Sequence, residues 1–189
     1  ALGFEALAFS TTASNNTAVG KDALRANTTG AENVAVGADV LTACTTGSVN
    51  TAIGHEALIT LTTGTFNTAV GRRAGSNLTT GQYNTFIGSG TVPNVGNFGS
   101  GHYITTGSKN TILGPYNGNQ YGLDIRTSSN NIVLSDGDGN PRLHINSSGN
   151  ALIATTNFGG TVNCSRNGNT YNYHAITDAN NTTEGFFRG

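Results

Sequence analysis

The sequence predicts an all-β protein: a trimeric β-solenoid shaft, or β-roll, of 17-residue repeats, followed by a region of short β-strands. The first observation is a five-residue motif, here called the phrase, which occurs five times, as NTAVG, NVAVG, NTAIG, NTAVG and NTFIG. The glycines that close it, with an earlier one, are 17 residues apart: Gly3, Gly20, Gly37, Gly54, Gly71 and Gly88. The second observation is that TTG triplets and a leucine-containing dipeptide keep the same step. Three markers with one period indicate a repeat array.

Each repeat is predicted to contain a strand, a turn, a short second strand and a further turn. The phrase itself is too short for a helix and uses residues that favour strands. The residues after its glycine carry the charges, as in Lys21-Asp22, so we expect them to face water while the neighbouring leucine turns inward. The TTG triplets supply another corner, where glycine permits a backbone angle that other residues resist. Stacked repeats of this kind form coils about 4.8 Å apart.

Both faces of each predicted strand are small or apolar, which is typical of a strand that is buried on both sides. We therefore expect the last apolar residue of each strand to belong to one buried column, in the coil interior or between chains: Val19, Val36, Ile53, Val70, Ile87 and Leu113. Alanines such as Ala52 would then let several chains approach closely at a shared axis.

A homotrimer is expected because one chain has few large apolar side chains to bury. Only 35% of the residues are hydrophobic, many of them alanine, and 10% are charged. Burial of apolar surface contributes about 25 cal/mol per Å², against roughly 1–2 kcal/mol for ordering each residue. The chain also begins with ALG, like the end of another copy of the phrase, so we expect it to be a piece of a longer polypeptide.

The charge and residue spacing argue against several functional classes. The net charge is −1 and no basic patch is present, so nucleic acid is not an expected partner. No apolar run approaches the roughly 20 residues that cross a bilayer, so membrane insertion is not expected. The four histidines lack metal-binding spacing, and no nucleophile–base pair, carboxylate pair or phosphate loop stands out. We expect no enzyme activity, catalytic residues, bound metal or cofactor.

One acidic segment imitates the start of a calcium loop. Asp136 opens the sequence DGDGN, but the twelfth position is Ser147 rather than the bidentate glutamate that such a loop requires. The sequence therefore favours a tight polar turn at this point.

The repeat register breaks after Gly88, because the next closing glycine is Gly114, 26 residues further along. The nine extra residues fall near 89–106, and insertions in solenoids project as loops that often carry binding. The insertion also brings aromatic side chains, which makes them candidate receptor contacts: Phe98, His102 and Tyr103. The alternative is a tolerated bulge or a capping device.

Two regions are therefore predicted, a repeat shaft at 1–114 and a C-terminal region at 115–189. The second contains short strands joined by turns and a candidate hairpin around Asn167-Gly168.

The pattern TTG-x-x-NTAVG-x-x-AL, over residues 1–114, resembles the repeats of bacteriophage tail-fibre proteins. It is more loosely similar to the NSVAIG-like head repeats of trimeric autotransporter adhesins. The segment SSNNIVLSDGDGNPRLHINSSGN, at 128–150, is similar to the stretch that precedes the C-terminal intramolecular chaperone of many phage tail fibres.

The tail-fibre resemblance implies a virion protein, a structural fibre segment that supports or mediates attachment to the host receptor. Its implied partners are further copies of itself in a homotrimer, a host-cell surface glycan or protein, and other fibre or baseplate proteins. Two alternatives stay open: a trimeric adhesin or filament on a bacterial cell surface, and a glycan-cleaving tailspike.

Overall fold

A computed structural model describes residues 1–89 and 98–153, together with the backbones of two later strands. The chain forms two compact units, Ala1–Ala154 and Thr155–Gly189. Within the part of the chain that the structure describes, there is no helix long and apolar enough to cross a membrane.

The first unit is built on a nine-stranded sheet, which confirms the predicted all-β solenoid fold. Its strands and those of a small two-stranded sheet are β1 (Thr17–Val19), β2 (Val34–Val36), β3 (Thr51–Ile53), β4 (Thr68–Val70), β5 (Thr85–Ile87), β6 (Thr111–Leu113), β7 (Asn119–Gln120), β8 (Leu123–Asp124), β9 (Ile132–Ser135), β10 (Pro141–Ile145) and β11 (Ala151–Ile153). Strands β1–β6 are parallel neighbours in register, so that Ala35 lies beside Ala52 and Ala52 beside Ala69. Each strand is one rung of a solenoid of about six turns.

The second strand that the sequence predicts in each repeat is replaced by consecutive turns. Every second residue in these turns has a left-handed backbone conformation, as in Asp22 (φ 54°) and Leu24 (φ 52°). Their N–H groups still donate to neighbouring coils, Asp22 to the carbonyl of Phe4 and Leu24 to that of Val40. The coils are thus hydrogen-bonded to each other on this side without an extended backbone, and the leucines point inward as predicted.

The coil interior takes the middle residue of each strand, which corrects the predicted assignment of the two strand faces. The buried residues are Ala18, Ala35, Ala52, Ala69, Phe86, Ile112 and Val133. The column expected to be buried in the coil interior or between chains lies on the outer face, where Ile53 is 40% exposed in the single chain: Val19, Val36, Ile53, Val70, Ile87 and Leu113. A 17-residue coil is narrow, so a leucine from the turns leaves room only for alanine opposite it. Burial of the outer column between chains stays a prediction.

One coil has a large side chain where the others have the buried alanine, and the neighbouring turns make room for it. Gly75 stands where earlier coils have leucine, and Phe86 stands where they have alanine. A Cβ atom on Gly75 would lie 2.7 Å from the Phe86 ring, and one on Gly101 would lie equally close to its other edge. Phe86 is therefore accommodated because both flanking coils lack the leucine side chain.

The asparagine of each phrase forms a buried ladder along the solenoid. The side-chain oxygen of Asn50 accepts hydrogen bonds from the backbone N–H (3.0 Å) and the side-chain amide (3.1 Å) of Asn67. The amide of Asn50 also donates to the carbonyl of Gly64, at 2.9 Å. Equivalent bonds join the asparagines of successive coils: Asn33, Asn50, Asn67, Asn84, Asn110 and Asn131. The ladder satisfies polar backbone groups inside the coil, which a buried chain must do.

The TTG glycines serve a different purpose from the one predicted. Gly47 does not adopt a left-handed φ, but a Cβ atom there would lie 2.5 Å from the carbonyl oxygen of Gly64 in the next coil. The phrase-closing Gly54 combines both demands, with φ 124° and a Cβ position 2.6 Å from the Gly71 carbonyl oxygen. Close stacking of coils is therefore what requires glycine at the TTG corner.

After the sequence pattern changes at residue 115, the sheet of the first unit continues, and its strand direction reverses only after β9. Strand β9 pairs parallel with β6, and β10 and β11 follow as antiparallel neighbours. In the second unit, β12 (Val162–Arg166) and β13 (Asn169–Tyr173) pair antiparallel with Arg166 opposite Asn169, as the hairpin prediction requires. The predicted turn residues Asn167 and Gly168 lie outside the described residues, as do 90–97 of the predicted insertion.

Candidate binding surfaces: the sheet face and the turn face

The outer face of the sheet, here the sheet face, carries a continuous apolar stripe. Its members lie opposite one another in successive strands: Val19, Val36, Ile53, Val70, Ile87, Leu113, Leu134, Leu143 and Ile153. Side chains opposite each other in neighbouring strands project to the same side of a sheet. The other outward residues of β1–β6 are threonine and valine, so this part of the face carries no charge.

Two exposed aromatic rings stack on each other in successive coils. Phe66 and Tyr83 precede the buried asparagines that lead into β4 and β5, and both rings are about half exposed. Their centroids are 5.0 Å apart and their planes differ by 3°, so one ring face of each is covered by the other. The pair adds exposed aromatic surface to these two coils.

The turns after each phrase glycine form a second surface, here the turn face, at residues 21–26, 38–43, 55–60, 72–77 and 98–103. Its charged side chains and one histidine make a connected series of polar contacts along the axis. Lys21 contacts Asp22 and lies 3.5 Å from Asp39, while His55 lies 4.0 Å from Asp39 and 3.8 Å from Glu56. Each carboxylate in this series therefore lies beside at least one basic side chain.

Arg73 ends this series of polar contacts by contacting Glu56. Its hydrogen bond holds the pKa of Glu56 below the usual range, although partial burial of the carboxylate opposes the effect. Both side chains are partly exposed, and exposed pairs of this kind contribute no more than about 1 kcal/mol each.

The three candidate receptor contacts meet in one cluster at the far end of the turn face. Phe98 lies 4.5 Å from His102 and 5.0 Å from Tyr103, measured between ring centroids. His102 and Tyr103 make an edge-on contact at 4.7 Å. All three side chains are intermediate in exposure. The structure therefore brings together the residues that the sequence singled out, here called the aromatic cluster.

Ser76, which sequence reasoning missed, holds the imidazole of the cluster in place. Its Oγ lies 2.5 Å from Nδ1 of His102, and the serine is only 3% exposed. A buried hydroxyl needs an acceptor, so the arrangement that satisfies it has Ser76 donating to Nδ1 and the ring proton on Nε2. Burial lowers the pKa of His102 and the nearby Arg73 lowers it further, against an opposing effect of Glu56, so the neutral form of the ring is favoured. The signal in the sequence is the 26-residue step, which stacks His102 on Ser76.

The coils around the cluster are also free of acidic residues. No aspartate or glutamate occurs from residue 57 to 123, whereas the same stretch contains Arg72, Arg73 and Lys109. Arg72 belongs to the coil next to the cluster, because its backbone carbonyl lies against Gly99. The chain as a whole has a net charge of −1, so this stretch is a local positive region.

The acidic segment at Asp136 is a polar turn, as the sequence favours. Its carboxylate accepts hydrogen bonds from the backbone N–H groups of Asp138 and Asn140 and from Arg142. Partial burial raises the pKa of Asp136, but these hydrogen bonds outweigh it and the net pKa is low. The described residues contain no group of three His, Cys, Asp or Glu side chains placed to hold a metal ion.

His144 occupies the end of the asparagine ladder. Its Nε2 lies 3.0 Å from the side-chain oxygen of Asn131, so the imidazole caps the last buried amide. This contact gives the side chain a structural role within one chain.

Comparison of the chain with protein-family models, with curated proteins and with solved structures gives no match. The class that the fold itself defines is a β-solenoid with a 17-residue coil.

Proposed function

We propose that this chain is a shaft segment of a bacteriophage tail fibre, which assembles as a homotrimer through the sheet face and supports attachment to the host cell. The observation that carries the proposal is the apolar stripe, which crosses all nine strands of the sheet without interruption. The resemblance of the repeats and of residues 128–150 to tail-fibre proteins supports the same assignment.

The stripe has the length and chemistry of an interface rather than of a solvated surface. Eight intervals of about 4.8 Å give a stripe roughly 38 Å long. Contiguous exposed apolar surface of this kind commonly marks a contact with a partner. A partner with the same coil spacing can match every rung, and further copies of this chain have that spacing. Three copies is the number that the tail-fibre resemblance implies.

Assembly through the sheet face leaves the turn face on the outside of the fibre. The turn face carries the ion pairs and the aromatic cluster, and both suit contact with water or with a receptor. A trimer presents the cluster three times, so that weak single contacts combine through avidity.

The oligomeric state tests this proposal directly. Light scattering of the parent protein is expected to give three copies of the 19.3 kDa chain. The variant Ile53→Asp places a charge in the stripe and is expected to prevent assembly, because burying an unpaired carboxylate costs several kcal/mol.

The matched control is Thr63→Asp, which adds the same charge at an exposed corner of the same coil and should leave the trimer intact. A folded parent monomer would refute the shared interface. Normal assembly of the Ile53→Asp variant would show that the stripe is not the shared surface.

A further inference from the structure

We infer that the aromatic cluster and Arg72 together form a binding site for an acidic saccharide, a sugar that carries a carboxylate or phosphate group. The inference rests on the proposed attachment function and names the class of ligand that the site would take. Three features of the described residues carry it: apolar ring surface, a fixed hydrogen-bond donor and a local positive charge.

The ring surface comes from Phe98 and Tyr103, whose centroids lie 5.0 Å apart and which both contact His102. Sugars present C–H groups on one face of the pyranose ring, and aromatic side chains provide a matching apolar surface with a polar rim. Because the rings also pack on one another, their positions are set before any ligand arrives. Such preorganisation lowers the entropic cost of binding.

The donor is Nε2 of His102. Ser76 occupies Nδ1, so the proton of the neutral ring is on Nε2. This nitrogen has no hydrogen-bond partner among the described residues. It also does not count as a buried atom, so solvent can reach it. An N–H group that is reachable from solvent and flanked by aromatic rings suits a hydroxyl, carboxylate or phosphate oxygen.

The charge selects an acidic sugar over a neutral one. Arg72 is exposed in the coil next to Phe98, whereas Arg73 is engaged by Glu56. Glu56, in the coil before Arg72, is paired with Arg73, and no aspartate or glutamate occurs between residues 57 and 123. Guanidinium groups bind carboxylates and phosphates with paired hydrogen bonds.

The decisive experiment compares three sugars by calorimetric titration of the assembled protein. Oligogalacturonate carries a carboxylate at carbon 6, oligogalactose lacks it, and galactose 6-phosphate replaces it with phosphate. We expect the acidic oligomer to bind about tenfold more tightly than the neutral one, from one additional charge-assisted hydrogen bond. Measurable binding of the phosphate sugar would show that the site accepts either anion.

Variants separate the parts of the site. Arg72→Gln should bring the affinity for oligogalacturonate down to that for oligogalactose and leave the latter unchanged. The double variant Phe98→Ser, Tyr103→Ser should abolish binding of both oligomers. Lys21→Gln removes a cation from the same face several coils away, and Tyr121→Ser removes an exposed ring elsewhere, so both should behave like the parent.

Equal affinity for the acidic and neutral oligomers, or no effect of Arg72→Gln, would overturn the inference. Light scattering on the same samples distinguishes failure of the saccharide-site inference from failure of the proposed function. A trimer that binds no saccharide refutes the site alone, whereas a parent protein that stays monomeric refutes the fibre assignment whatever it binds.

Discussion

At the scale of single residues, the buried asparagines explain how a chain with so few large side chains keeps a defined interior. Each amide joins two coils, because its oxygen accepts from the next asparagine and its nitrogen donates to a TTG carbonyl. A buried amide with all of its partners fixes the stacking register as well as the fold. The phrase asparagine is visible in the sequence, but its inward position depends on the turn before it, which no pattern of apolar residues shows.

The ladder gives a prediction for one residue. Replacement of Asn50 by alanine leaves the backbone N–H of Asn67 and the carbonyl of Gly64 without these partners inside the coil. Each buried unsatisfied group costs about 1–3 kcal/mol, so we expect a loss of roughly 2–5 kcal/mol in the free energy of unfolding, measured by denaturant titration. Asn150→Ala changes an exposed asparagine whose φ is not positive and is the control. A stability within about 0.5 kcal/mol of the parent, as is usual for surface substitutions, would show that the ladder contributes little.

At the scale of one coil, Gly75 and Phe86 form a compensating pair. The variant Phe86→Ala restores the usual alanine but leaves a cavity, at a cost of about 3–5 kcal/mol. The variant Gly75→Leu forces a side chain against the Phe86 ring. The double variant should recover much of the loss, because leucine fills the space that phenylalanine leaves.

The backbone at position 75 supports this expectation. Its φ of 60° is close to the φ of 49° that Leu58 adopts one coil earlier, so leucine is compatible with it. Thermal or denaturant unfolding of the parent, both single variants and the double variant gives the coupling energy, expected to be about 2 kcal/mol. Additive losses would mean that the two positions do not share the same space.

The sequence predicts the coil well but not which face of the strand is inside. The 17-residue period, the inward leucines and the charged turns follow from the spacing of apolar and charged residues alone. The strand faces do not, because Ala52 and Ile53 are both apolar and only the width of the coil decides between them. The aromatic cluster could be found from the insertion, since Phe98 and Tyr103 are aromatic residues among glycines. Ser76 and Arg72 can be found only by carrying the 26-residue step across the insertion, because that step decides which residues of the two coils stack.

At the scale of the whole molecule, the repeated contacts predict that an entire coil can be removed. Deletion of residues 51–67 joins Asn50 to Thr68 and restores the phrase NTAVG. Every ladder is then continuous, and Arg73 lies beside Asp39 in place of Glu56. We expect this variant to remain a stacked β-sheet protein with the parent's oligomeric state, as judged by circular dichroism and light scattering.

Deletion of one residue fewer, 51–66, is the matched control. It leaves an extra residue in the joined coil, and a one-residue shift in a strand exchanges the inner and outer faces. We expect this control to lose the cooperative unfolding transition. Equal stability of the two deletions would mean that the register of the coil is not what holds the shaft together.

The stacked glycines at the two corners have a consequence for the length of the shaft. Because a coil fits its neighbours only when the same corner meets the same corner, the shaft can be lengthened or shortened only in whole steps of about 4.8 Å. The near-identical phrases also offer matching points at which unequal exchange between gene copies would add or remove one step and leave all the contacts intact. The number of repeats before Phe98 therefore sets the distance between the first coil and the aromatic cluster.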